Sequence, residues 1–267
     1  MKDFNLSRFW QTFKWLVLTN KRQLVKISLI MLLVFFMEQL FVILAGQGYR
    51  SSVWGSYDDP YHARGLVVAS AMAFNFMTWA VMGLVMCTLV CGRLRSKQQR
   101  IMLFTHPSSK LEKYVARLIY YLVLIPVLTG LSMMLANLLR MGIDLLIGFP
   151  AIGFFVEMIF NSFRLPINLL SFNVIFTLWM ISVFVLGGTF FRKVPFFMTA
   201  GVLMALGILM LIILLMLGHR LLVEWVFADS FTWVINVLFA MFAVVNMLLS
   251  YRLYSRMQVI QNRWFNI

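Results

Sequence analysis

The stretch from Gly92 to Arg117, GRLRSKQQRIMLFTHPSSKLEKYVAR, holds seven of the 23 basic residues together with a run of hydroxyl side chains. Within it Ser109-Lys110-Leu111-Glu112 has the spacing of a capping box. The serine oxygen accepts from the amide three residues on, and the glutamate reaches back to the serine amide. Pro107 disfavours helix at the residue before it. The pattern predicts a helix, a sharp break over 105–109, and a new helix leading onward. As structure, this is an ordinary capped start with basic flanks; as function, it is a rigid basic elbow offered to a partner.

Other reactive side chains are sparse. Glu38 lies near the middle of a long apolar stretch, where a carboxylate costs several kcal/mol unless it faces protein, water or a partner, or is protonated. It either hydrogen-bonds another helix or lines a substrate path or dimer seam. Asn75, Asn137, Asn173 and Asn246 are further polar groups inside apolar stretches, read as hydrogen-bonding links between helices or as lining of the same path. Cys87 and Cys91, one helical turn apart, read as small buried residues. His62, His106 and His219 fall in separate loops, so no metal site is expected. Asp58-Asp59 with Tyr57 and His62 reads as a solvated turn before Pro60. No H-E-x-x-H or G-x-S-x-G occurs, and no catalytic residue is expected.

The elements that must position these groups follow from composition. Of 267 residues, 62% are hydrophobic and 12% charged, against about 45–50% and 25% in soluble domains. The surplus falls into six blocks, 27–45, 66–91, 118–139, 168–190, 197–217 and 231–251, each long enough for a bilayer core that needs about 20 apolar residues. Backbone groups in lipid must be satisfied internally, so these are helices and the fold class is an all-α, six-helix transmembrane bundle. Residues 143–163 are also apolar. Gly148, Pro150 and Gly153 break that run, and Asp144 and Glu157 burden it. The outer segment 140–167 therefore reads as re-entrant or interfacial. In residues 1–26, Leu6, Phe9, Trp10, Phe13 and Val17 recur at helical spacing, which predicts an amphipathic interface helix.

The net charge of +14 would suggest nucleic acid in a soluble protein. With the N-terminus placed in the cytoplasm, 18 of the 23 basic residues fall inside, in 1–26, the loop 92–117, the Arg192-Lys193 turn and the tail 252–267. Only Arg50, Arg64, Arg140, Arg164 and Arg220 fall outside. The charge therefore reports orientation, N-in and C-in, and no nucleic-acid partner is expected.

The run Leu103 to Lys113, closing with Ala116-Arg117, resembles the loop between the second and third spans of ABC exporter permeases of the second type. Members of that family commonly carry Thr-x-Pro-x-Ser-[Arg/Lys]-x-Glu there, and Thr105, Pro107, Ser109, Lys110 and Glu112 match it, with His106, Ser108 and Lys113 in the same stretch. The interface helix, six spans and broken outer segment are also features of the family, although its broken element usually follows span five, not span three. The resemblance implies a bacterial inner-membrane subunit, surrounded by lipid, that pairs with a second permease chain and docks an ABC ATPase subunit on this loop. No G-x-x-x-x-G-K-[ST] occurs, so ATP is expected on the partner and no cofactor on this chain. Glu112→Lys is then expected to uncouple ATP hydrolysis from transport while leaving insertion intact. The rival readings are a non-transport membrane scaffold, and a secondary transporter or membrane enzyme that uses Glu38.

Overall fold

Long apolar runs leave the backbone only one way to satisfy itself in lipid, which is to coil. The computed structural model describes residues 4–49, 60–92, 101, 105, 107–146, 167–191, 193–216 and 229–256, and they form helices without any strand. In chain order these are α1 (Leu6–Tyr49), α2 (Pro60–Gly92), α3 (Lys110–Ile119), α4 (Ile125–Leu146), α5 (Ile167–Phe190), α6 (Pro195–Met216) and α7 (Asp229–Arg256). A π-helical turn, Tyr120–Leu124, carries α3 directly into α4. Pro126 explains it, because a proline has no N–H to return to the carbonyl four residues back and a wider turn absorbs the missing rung. Six of the resulting helices are long and apolar enough to cross a membrane, so the chain is a multi-pass membrane protein.

Two boundaries differ from expectation. No break separates residues 1–26 from the first span: α1 runs unbroken for 44 residues, about twice the length a bilayer core requires. No glycine or proline stands between Leu6 and Ala45 to stop it. Span three continues past residue 139 to Leu146 and takes the first residues of the supposed outer segment. The remainder of that segment, 147–166, lies outside the described residues, as do His106 and the end of the tail, 257–267.

The chain divides into two compact units. One comprises residues 1–16, 84–122 and 165–267. At its centre α5 and α7 run side by side, with Trp179 stacked on Phe239 at 4.8 Å and Phe176 edge-on to it at 5.7 Å. Two polar links cross the same seam, Asn236 Nδ2 to Ser171 Oγ and Asn246 Nδ2 to Ser182 Oγ, both 3.2 Å. Position rises along both helices from one link to the next, so α5 and α7 are parallel and α6 must return between them. Gly187 and Gly188 allow close packing at the end of α5. A Cβ on Gly188 would lie 2.7 Å from Thr88 Cα, and one on Gly187 would lie 2.7 Å from Thr199 Cγ2. Along α6, Met204 to Ile213 are all exposed. In a membrane protein such a surface faces lipid, which is as apolar as leucine and leaves packing and polar links to hold helices together.

The other unit comprises residues 17–83 and 123–164. Its core joins Met31 and Phe35 of α1 to Met133 and Ala136 of α4, with Phe76, Trp79 and Met82 of α2 packed against them. Trp79 Nε1 donates to the Pro126 carbonyl at 3.2 Å, so the indole is bonded as well as packed. Its ring also sits 3.7 Å from where a Cβ on Gly130 would be, in ordinary contact.

Candidate functional site

The capping box forms as its spacing predicts. Ser109 precedes α3 in extended backbone (φ −67°, ψ 157°). Its hydroxyl accepts from the Glu112 amide at 3.1 Å, and its own amide donates to Glu112 Oε2 at 2.8 Å. Upstream, Thr105 Oγ1 donates to the Ile101 carbonyl at 2.9 Å, closing a helical turn before the bend at Pro107-Ser108. The bend and the capped helix that follows it are therefore present, while residues 102–104 and 106 lie outside the described residues.

What the spacing does not foretell is where Glu112 goes next. Its second oxygen, Oε1, accepts from the backbone amide of Asn5 at 2.9 Å and lies 3.4 Å from Arg8 Nη2. Asn5 is itself the cap of α1, its Oδ1 accepting from the Ser7 amide at 2.9 Å. One carboxylate thus closes the N-termini of two helices, where both macrodipoles favour negative charge. The side chain is fully buried (0% exposed). The first turn of α3, with Lys110, Glu112 and Lys113, precedes the apolar stretch that begins at residue 118. Burial pushes the Glu112 carboxyl upward, but the amides of Asn5 and Ser109, the Arg8 guanidinium and the Ser109 hydroxyl outweigh it and hold it below its ordinary value of 4.5.

The elbow is also tied to the other end of the chain. Lys110 Nζ donates to the Ser255 carbonyl at 2.8 Å, and Tyr114 Oη donates to Ser250 Oγ at 2.9 Å. The Tyr114 ring lies 5.5 Å from that of Tyr251 and 5.3 Å from that of Tyr254. The short helix α3 is therefore latched to the start of α1 by Glu112 and to the last turns of α7 by Lys110 and Tyr114.

This geometry sorts the elbow residues. Glu112 and Lys113 are buried in the chain's own packing, so Glu112→Lys would attack the latch itself. Thr105, Pro107 and Lys110 are exposed, with Ser108 and Ser109 partly so. Ile101 and Leu111, which the sequence pattern did not single out, add exposed apolar side chains beside them.

The intraspan polar residues take separate roles. Glu38 Oε1 accepts from Thr78 Oγ1 at 2.6 Å, linking α1 to α2. Asn246 bonds across α5 and α7, the expected interhelical link. Asn137 instead holds Arg140 of its own helix, its Oδ1 accepting from Nη2 at 3.1 Å and Nε at 3.4 Å. Asn173 is exposed and its carbonyl accepts from Thr177. Asn75 is wholly buried and, among the described residues, unpartnered. Two residues went unmarked by the sequence pattern. Arg140, assigned to the outer loop, lies within α4 and is 1% exposed, and Gln39 is 0% exposed. Their heptad-like offsets from Ala136 and Phe35, four residues each, could have placed them on the buried face. Cys87 is buried and unpaired, as expected for a small core residue, and no metal-holding group occurs among the described residues. Comparison with known proteins gives no matching family model, and no match among curated proteins or solved structures.

Proposed function

We propose that this chain is the membrane-spanning permease subunit of an ATP-driven exporter, with a separate ATPase subunit docked on the elbow and a second permease chain beside it. The observation that supports this reading is the double latch on α3. A push on a capped, ten-residue helix tied to the first turn of α1 and the last turns of α7 is transmitted to both. A loose loop would dissipate that load. The Thr105-x-Pro107-x-Ser109-Lys110-x-Glu112 resemblance supplies the identity of the partner, and the basic excess around it supplies the orientation, with both termini in the cytoplasm of a bacterium. ATP would bind the partner, and this chain would carry no catalytic residue.

The buried position of Glu112 moves the docking surface to Ile101, Pro107, Lys110 and Leu111. The test is site-directed crosslinking in native membranes, from Leu111→Cys in a Cys87→Ala, Cys91→Ala background. The expected product is a covalent adduct with a nucleotide-hydrolysing subunit, lost in Leu111→Asp although insertion is unchanged. Adducts containing no such subunit, from position 101 as well as 111, would refute the docking assignment.

A further inference from the structure

Three side chains in the unit formed by residues 17–83 and 123–164 leave five buried polar atoms with no hydrogen-bond partner among the described residues: Glu38 Oε2, both amide atoms of Gln39 and both of Asn75. Gln39 and Asn75 are each 0% exposed. Gln39 stands four residues after Phe35, on the α1 face that enters the core with Met133 and Ala136. Asn75 stands four residues before Trp79, on the α2 face packed against that same core. The Glu38–Thr78 bond fixes α1 against α2 at this level. Gln39 and Asn75 therefore border the same core, with Glu38 next to Gln39 along α1, as a polar layer adjoining the aromatic cluster of Phe35, Phe76 and Trp79.

Leaving such groups dry is costly. Each unpaired buried donor or acceptor costs about 1–3 kcal/mol, and hydrocarbon offers no alternative partner. The layer therefore calls for an occupant, and its inventory states which kind. The two carboxamides bring two donors and one acceptor position each, and Glu38 Oε2 adds a further acceptor. A bare metal ion would leave the four N–H donors unmet. An anion would face Glu38. A hydrocarbon chain would meet none of them. A group that donates and accepts at once meets both kinds.

We propose that Glu38, Gln39 and Asn75 form an intramembrane binding site for hydroxyl groups, supplied either by ordered water or by a hydroxyl-bearing amphiphile such as a polyol or sugar headgroup. The adjoining aromatic cluster provides the apolar floor that such a headgroup needs. Thr78 holds one Glu38 oxygen and leaves the other available to accept. The site stands independently of any ATPase, so its failure would leave the docking proposal untouched, and the reverse also holds.

The experiment uses the full chain in phosphatidylcholine nanodiscs, with Cys87 and Cys91 replaced by Ala. Asn75→Cys and Ala136→Cys are labelled with a hydrophilic, positively charged thiol reagent. A hydrated layer makes Asn75→Cys react at least tenfold faster than Ala136→Cys in the apolar core. Octyl glucoside, added below its micelle concentration, separates the two sources. Labelling slowed at least threefold by the glucoside assigns a hydroxylated amphiphile, whereas fast labelling left unchanged assigns water, and either supports the site. Equal, slow labelling at both positions overturns it. A second readout does not depend on the cysteine variants. The double variant Gln39→Leu, Asn75→Leu keeps shape but removes the polar atoms, so a hydroxyl site predicts a lower melting temperature than wild type. A melting temperature raised by several degrees would show the layer to be dry and overturn the proposal.

Discussion

Replacing Glu112 removes the one side chain that closes two helix starts at once. Loss of the carboxylate leaves the Asn5 and Ser109 amides without their acceptor, at 2.9 and 2.8 Å in the intact protein. Hydrogen bonds to a charged group contribute about 1.5–3 kcal/mol each, so Glu112→Ala is expected to cost the latch about 3–5 kcal/mol. Arg8 is 37% exposed, so solvent screens its ion pair and Arg8→Ala is expected to cost less than about 1 kcal/mol. Glu112→Gln keeps the shape and one acceptor and falls between them, at about 1–2 kcal/mol. Glu112→Lys places a cation against Arg8 and both positive helix ends, and is the most damaging of the series. At 1.4 kcal/mol per factor of ten, the alanine variant should open the α1–α3 latch about 100- to 4,000-fold more often. Hydrogen exchange of the amides from Asn5 to Phe9, followed by mass spectrometry on the full chain in nanodiscs, reads that opening directly. Exchange in Glu112→Ala within threefold of wild type, or no faster than in Arg8→Ala, would refute the assignment of Glu112 as the latch.

Acidification acts on the same group. A carboxyl held below its ordinary value stabilises the folded state above that value, and the stabilisation is lost as pH falls through the folded-state value, so N-terminal protection should fade only below pH 4.5. Glu112→Gln should remove that pH dependence. At the end of α5, Gly188→Val should lower stability by about 1–3 kcal/mol or more, because its side chain meets the Thr88 backbone rather than a movable side chain; thermal melting in detergent checks this, and unchanged melting would contradict the close approach. In the other unit, Thr78→Val deprives Glu38 of its donor and should cost about 1–3 kcal/mol, while Thr78→Ser, which keeps the hydroxyl, should melt within a degree or two of wild type.

Much of the architecture is legible in composition and pattern alone. Composition and the length of the apolar blocks sufficed for six membrane-crossing helices, because lipid allows a spanning backbone almost no alternative. The α3 start was equally plain, since a capping box is a local device whose partners lie three residues apart. The limits of α1 were not. Amphipathic spacing in residues 1–26 and an apolar block from residue 27 look like two elements, but a helix stops only where something ends it, and nothing does before Tyr49. Arg140 misled for a related reason: an arginine at the rim of an apolar block reads as a loop residue until Asn137, one turn earlier, is seen to hold it.

The sequence by itself determined what depends on local spacing and on solvent: helices, spans, the break at Pro107, the box at Ser109 and Glu112. Tertiary structure alone decided which side chains serve the protein's interior and which meet the outside. Ser109 was visible as one partner of Glu112, but Asn5 and Arg8 lie more than 100 residues away and could be brought to it only by folding. That approach buries the glutamate as a latch between two helices and leaves Lys110 and Leu111 on the surface. Gln39 and Asn75 tell the same story in the second unit. Their types mark them as polar, but only the packing of α1, α2 and α4 excludes them from solvent and so makes their unmet hydrogen bonds a site.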